Sequence, residues 1–74
     1  MLRDTEISNL LMAITASMNL AASGRLADGY TCLLAGLERA EHLADADEPG
    51  ATELVRILRQ ALENYTARYG LPLE

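Results

Sequence analysis

Residues 7–24 read Ile7-Ser8-Asn9-Leu10-Leu11-Met12-Ala13-Ile14-Thr15-Ala16-Ser17-Met18-Asn19-Leu20-Ala21-Ala22-Ser23-Gly24. Apolar residues return every three or four positions, which is the period of a helix and not of a strand. Ile7, Leu10, Leu11, Ile14, Met18, Ala21 and Ala22 form the main apolar face, expected to meet a core. The other side carries no charge between Ile7 and Gly24. Met12, Ala16 and Leu20 make a second apolar stripe there, flanked by Asn9, Ser17, Asn19 and Ser23. A helix side that faces water normally carries Glu, Lys or Arg, and a helix without them is covered on more than one side. Every helix of a three-helix monomer has one side in water. The segment therefore predicts a subunit interface built on Met12, Ala16, Asn19 and Leu20.

The rest of the chain has the same periodicity, broken by Gly24, Pro49-Gly50 and Gly70 with Pro72. These breaks predict helices over about 4–23, 25–46 and 49–69, joined by connections short enough to make neighbours antiparallel. Asp4 or Thr5 is the expected first cap, Pro49 suits a helix start, and Gly70 suits a left-handed stop. On the second helix Leu26, Tyr30, Leu33, Leu37, Ala40 and Ala44 share a face, widened by Gly29, Cys32, Gly36 and Leu43. On the third, Ala51, Leu54, Val55, Leu58, Ala61, Leu62, Tyr65 and Tyr69 do so. Glu53 with Arg56, and Arg59 with Glu63, are spaced as helix-neighbour ion pairs. Gly29 and Gly36 lie seven residues apart and so on one side of the second helix. They are either two tolerated glycines or the seat of a close helix crossing. The fold class is all-α, a three-helix antiparallel bundle in one domain over residues 1–74.

The stretch Gly24-Arg25-Leu26-Ala27-Asp28-Gly29-Tyr30 resembles the turn and second-helix start of a tetratricopeptide repeat, and residues 10–41 resemble one helix pair of that family. On this alignment Gly29 and Gly36 fall on the family's small close-packing positions. Leu33 falls on its bulky second-helix position, Ser17 on its small first-helix position and Leu20 on the large one that follows. The family's tryptophan position holds Ala13, and Pro49 comes eight residues after the expected closing proline, near Glu41. A solenoid stacks about three repeats, and this chain has room for at most one and a half. The resemblance implies a packing style, helix hairpins crossing on small residues, and a habit of binding proteins.

Catalytic residue types gather in one place, at Glu38, Glu41, His42 and Asp45. Glu38, His42 and Asp45 line one helix side, and a histidine with two carboxylates can hold a divalent metal. The same residues make an ordinary solvated polar face, and the Glu-x-x-His signature of di-metal bundles is missing because position 39 is Arg. Cys32 reads as a buried structural thiol, with no histidine a turn away. Tyr30, Tyr65 and Tyr69 sit at the edges of apolar faces, suited to bury the ring and wet the hydroxyl, or to line a pocket. Glu41, Asp45, Asp47 and Glu48 crowd the second turn, either as a solvated loop or as an acidic surface that docks a basic partner.

Composition bounds the function classes. The chain has 74 residues, net charge −5, six arginines and no lysine, one cysteine, one histidine and neither Trp nor Phe. An acidic chain without a basic block is a poor binder of phosphate backbones, so no nucleic-acid partner is expected. One Cys and one His exclude a self-contained zinc cage and an internal disulfide. Ser8, Asn9, Thr15, Ser17 and Asn19 interrupt the first apolar run, which argues against a secretory leader or a membrane span and for a cytoplasmic protein. A core of leucine and alanine in so short a chain is marginal, and sharing it with a partner copy stabilises it. The expectation is a non-catalytic protein–protein interaction module without cofactor, forming a homodimer or serving as an adaptor or chaperone. The alternative is a small ligand- or metal-binding accessory subunit of an enzyme.

Overall fold

A computed structural model of the chain describes residues 3–70 as three helices with no strand: α1 (Asp4–Ala22), α2 (Leu26–Asp45) and α3 (Ala51–Tyr69). The α1–α2 turn is closed by Gly24 at φ 81°, where the Arg25 N–H donates to the Leu20 carbonyl at 2.8 Å and the Gly24 N–H to Ala21 at 3.0 Å. This pair of hydrogen bonds satisfies carbonyls that a helix end leaves open. The α2–α3 turn repeats it with Asp47 at φ 60° in glycine's place, the Glu48 N–H donating to Leu43 at 3.1 Å and the Asp47 N–H to Ala44 at 3.0 Å. Gly70, at φ 78°, ends α3.

The helix starts differ from the sequence reading. Arg3, not Asp4 or Thr5, is the extended residue before α1, and no side chain caps that end. Asp4 and Glu6 instead sit inside the first turn, where carboxylates oppose the positive end of the helix dipole. The third helix begins at Ala51 rather than at 49, because Gly50 takes φ 87° and leaves Pro49 in the turn.

Helix α2 packs against both α1 and α3, while α1 and α3 meet only sparsely. Both pairs are antiparallel. Residues Glu6, Ala13 and Ser17 lie against Arg39, Cys32 and Gly29 in reverse order, and Glu41 and Leu26 meet Arg59 and Tyr65 likewise. The core comprises Leu10 from α1, Leu33, Leu37, Ala40 and Leu43 from α2, and Ala51, Leu54, Leu58 and Tyr65 from α3. On α2 and α3 these lie within the faces read from the spacing. On α1 the expected face meets the core only in part: Leu10 is buried and Ile7, Ile14 and Ala21 pack against the core, but Ser17 is buried with them and Leu11, Met18 and Ala22, expected on the core side, are exposed.

The reason lies in the α1–α2 crossing. A Cβ placed on Gly29 would stand 2.9 Å from the Ser17 carbonyl oxygen and would collide with the Tyr65 hydroxyl. One placed on Gly36 would stand 3.1 Å from the Ala13 Cβ. The two helices therefore approach backbone to backbone along a small-residue seam, Ala13 and Ser17 on α1 against Gly36 and Gly29 on α2. That contact turns α1 so that Ser17, 1% exposed, points inward. Its hydroxyl is satisfied by donating to the Ile14 carbonyl at 2.7 Å, so the burial of a polar group carries no unpaired atom.

Candidate interaction surface

The rotation of α1 decides what the molecule presents to solvent. At 100° per residue, the side of α1 away from Leu10 and Ser17 carries Ser8, Leu11, Met12, Thr15, Met18, Asn19 and Ala22, all exposed. Leu11, Met12 and Met18 are the large hydrophobic side chains most open to water among the described residues, at 37%, 61% and 57% of full exposure. All three lie on this one face, and no charge lies on α1 between Ile7 and Ala22. Of the four residues read as an interface, Met12 and Asn19 are exposed on it. Ala16 and Leu20 are half-buried at its edge.

The face has relief. A shallow depression at its N-terminal end is lined by Asp4, Ile7, Ser8, Leu11, Met12 and Thr15. Beside its C-terminal end, the sparse contact between α1 and α3 leaves a groove of about 230 Å³ with Leu33 as its floor. Ile14 and Met18 form one wall, and Ala61, Tyr65 and Tyr69 the other, with Asn64 and Arg68 at the rim. Tyr65 anchors that wall. Its ring is buried, its hydroxyl donates to the Leu26 carbonyl at 2.7 Å, and burial pushes its phenol above the ordinary tyrosine range, with Tyr69 and Asp28 adding to the rise. Tyr69 packs on it at 4.8 Å between ring centroids, and the Arg68 guanidinium lies 5.7 Å from the Tyr69 ring centre.

The other candidates are dispersed. Glu38 and His42 are exposed on α2, and among the described residues no group of three or more His, Cys, Asp or Glu side chains converges as a metal site. Cys32 is half-buried, its thiol directed at the Ala13 carbonyl oxygen at 3.8 Å. Tyr30 is half-buried against the core. In the acidic turn Asp45 and Asp47 are exposed and Glu48 half-buried, while Glu41 receives a bond from Arg59 at 2.9 Å. Arg59 thus reaches across to α2 rather than along α3 to Glu63, the partner expected from spacing. Arg56 does pair with Glu53 and holds its carboxyl below the ordinary range. Glu6 and Arg39 tie α1 to α2 at 3.4 Å, a contact no local spacing announces.

Among the described residues no helix is long and apolar enough to cross a membrane. No protein-family model, no curated protein and no solved structure matches this chain.

Proposed function

We propose that this chain is a non-catalytic protein–protein interaction module that self-associates, with a second copy docked on the uncharged face of α1. The observation behind the reading is the grouping of Leu11, Met12 and Met18, exposed together on a helix side free of charge. The three leave about 300 Å² of largely apolar surface open, and burying it on two copies is worth about 15 kcal/mol at about 25 cal/mol per Å². Association takes back about 4–15 kcal/mol in lost freedom, and about 600 Å² over two copies is below the roughly 1,200 Å² of stable complexes, so these side chains anchor a weak, concentration-dependent pair. Unbranched methionine side chains can adapt to the opposing surface. The absence of charge matters in a chain of net charge −5, because two copies can meet there without apposing like charges.

The α1–α2 hairpin is read as tetratricopeptide-like in its packing. Support comes from the seam itself, where Ser17, Gly29 and Gly36 stand at positions for which the resemblance asks for small residues, while Ala13, which meets Gly36, stands where the family has its tryptophan. A second reading, a small-ligand site, is favoured by the groove between α1 and α3, whose apolar walls and polar rim suit a compact amphipathic molecule.

Light scattering behind a sizing column tests the first reading. The expected mass is twice 8.0 kDa at high concentration, falling toward one chain on dilution. Met12→Arg with Met18→Arg is expected to give a folded monomer with unchanged helical circular dichroism. A wild-type chain that stays monomeric throughout the series, or a double variant that still pairs, overturns it.

A further inference from the structure

The uncharged face carries a direction. Resting on the self-association reading above, we propose that two copies pair with their α1 helices antiparallel, about a two-fold axis that passes at Thr15.

The spacing of the face is the first ground. Ser8, Leu11, Thr15, Met18 and Ala22 recur at alternating steps of three and four, so they form a nearly straight stripe along α1. Thr15 is its midpoint. A two-fold axis there sets Ser8 opposite Ala22 of the other copy, and Met12 opposite Met18.

Charge supplies the second ground and selects the orientation. The end of the bundle that holds the start of α1 also holds the α2–α3 turn. Eight of the eleven acids lie in that half: Asp4, Glu6, Glu38, Glu41, Asp45, Asp47, Glu48 and Glu53. Four arginines, Arg3, Arg39, Arg56 and Arg59, accompany them, which leaves this half at −4. The described part of the opposite half holds Asp28 and Glu63 with Arg25 and Arg68, and is neutral. A parallel pair sets the two −4 halves side by side. An antiparallel pair sets each against the neutral half of its partner, which removes that repulsion. It also brings Arg68, which has a ring contact but no carboxylate partner among the described residues, toward the Asp4 end of the other copy.

Disulfide trapping tests the orientation in chains carrying Cys32→Ser. In the antiparallel pair, positions 8 and 22 of different copies face each other, while position 8 of one copy lies about 21 Å along the helix from position 8 of the other. A disulfide needs Cα atoms within about 7 Å. Under mild oxidation, a mixture of Ser8→Cys and Ala22→Cys chains is expected to give a covalent mixed dimer, and either chain alone is not. Cross-linking of each variant with itself overturns the antiparallel order and leaves self-association standing. A dimeric mass with no cross-link in any combination moves the contact off this face. A monomeric mass for the Cys32→Ser chain and the wild type removes the self-association reading itself.

Discussion

Replacing Gly29 by alanine tests the seam on which the orientation of α1 depends. In an isolated helix the change is favourable by about 1 kcal/mol, because glycine is the more disordered residue when unfolded. The tertiary structure reverses that sign. The new methyl would stand 2.9 Å from the backbone oxygen of Ser17 and 3.0 Å from the ring of Tyr65, and would overlap its hydroxyl. The two obstacles sit on different helices, so relief requires both that α1 move away and that Tyr65 leave its place. The first is overpacking, at about 1–3 kcal/mol. The second breaks the 2.7 Å bond to Leu26 and strands a buried group, again about 1–3 kcal/mol. Added together and less the propensity gain of about 1 kcal/mol, these costs give an expected net loss of about 1–5 kcal/mol. Gly36→Ala is the internal comparison, since its Cβ meets only the Ala13 methyl at 3.1 Å and otherwise atoms at 3.9 Å and beyond. A small local shift there roughly offsets the propensity gain, so stability is expected within about 1 kcal/mol of the parent. The assay is urea unfolding followed by circular dichroism, with all chains at one concentration because dimerisation contributes to the apparent stability. Gly29→Ala as stable as the parent, or no worse than Gly36→Ala, would refute the close crossing and with it the account of why Ser17 faces inward.

Three further outcomes follow from particular contacts. Tyr65→Phe removes the hydroxyl bond to Leu26 and is expected to lower stability by about 1 kcal/mol near neutral pH. Because burial raises the Tyr65 phenol in the folded chain, the unfolded chain releases this proton first. The contribution of this group to stability is then flat below pH 10.0, the ordinary phenol value, and falls above it, a fall that Tyr65→Phe should reduce in alkaline unfolding series. Asp47→Gly relieves a left-handed backbone at φ 60° and takes a negative charge from the C-terminal end of α2, for an expected gain of about 1 kcal/mol in thermal or urea unfolding. Glu41→Gln breaks an exposed ion pair to Arg59 and is expected to change stability by less than about 1 kcal/mol, and a larger loss in the same unfolding series would show that this pair fixes α3 on α2.

The number of helices, their places and their stops are legible in the chain because each is a local property. Gly24 and Gly70 adopt the left-handed conformation that glycine permits, and the apolar positions of α2 and α3 return with the period of the helix. The start of α3 was harder to read, since Pro49 fits a first helical position in isolation and only the left-handed turn at Gly50 excludes it. Ion pairs divide in the same way. Glu53 and Arg56 are fixed by spacing, while Arg59 with Glu41 and Arg39 with Glu6 join different helices and exist only after packing.

The same division runs through the candidate surface. Sequence alone determined that α1 has too few charges for a helix with a wet side, because charge is a property of the residues and not of their arrangement. It did not determine which side of α1 stays wet. Side-chain hydrophobicity points the helix inward along Ile7, Leu10, Leu11, Ile14, Met18, Ala21 and Ala22, whereas the folded chain keeps Ile7, Leu10, Ile14 and Ala21 on the core and turns the helix further toward Ala13 and Ser17. Two backbones approach most closely where neither carries bulk, and Gly29 and Gly36 supply that place from another helix. The tertiary contact therefore leaves Leu11 and Met18 outside beside Met12. A period of 3.6 residues reports how strongly a helix is two-sided, but the closest approach of its neighbour sets the angle at which it docks.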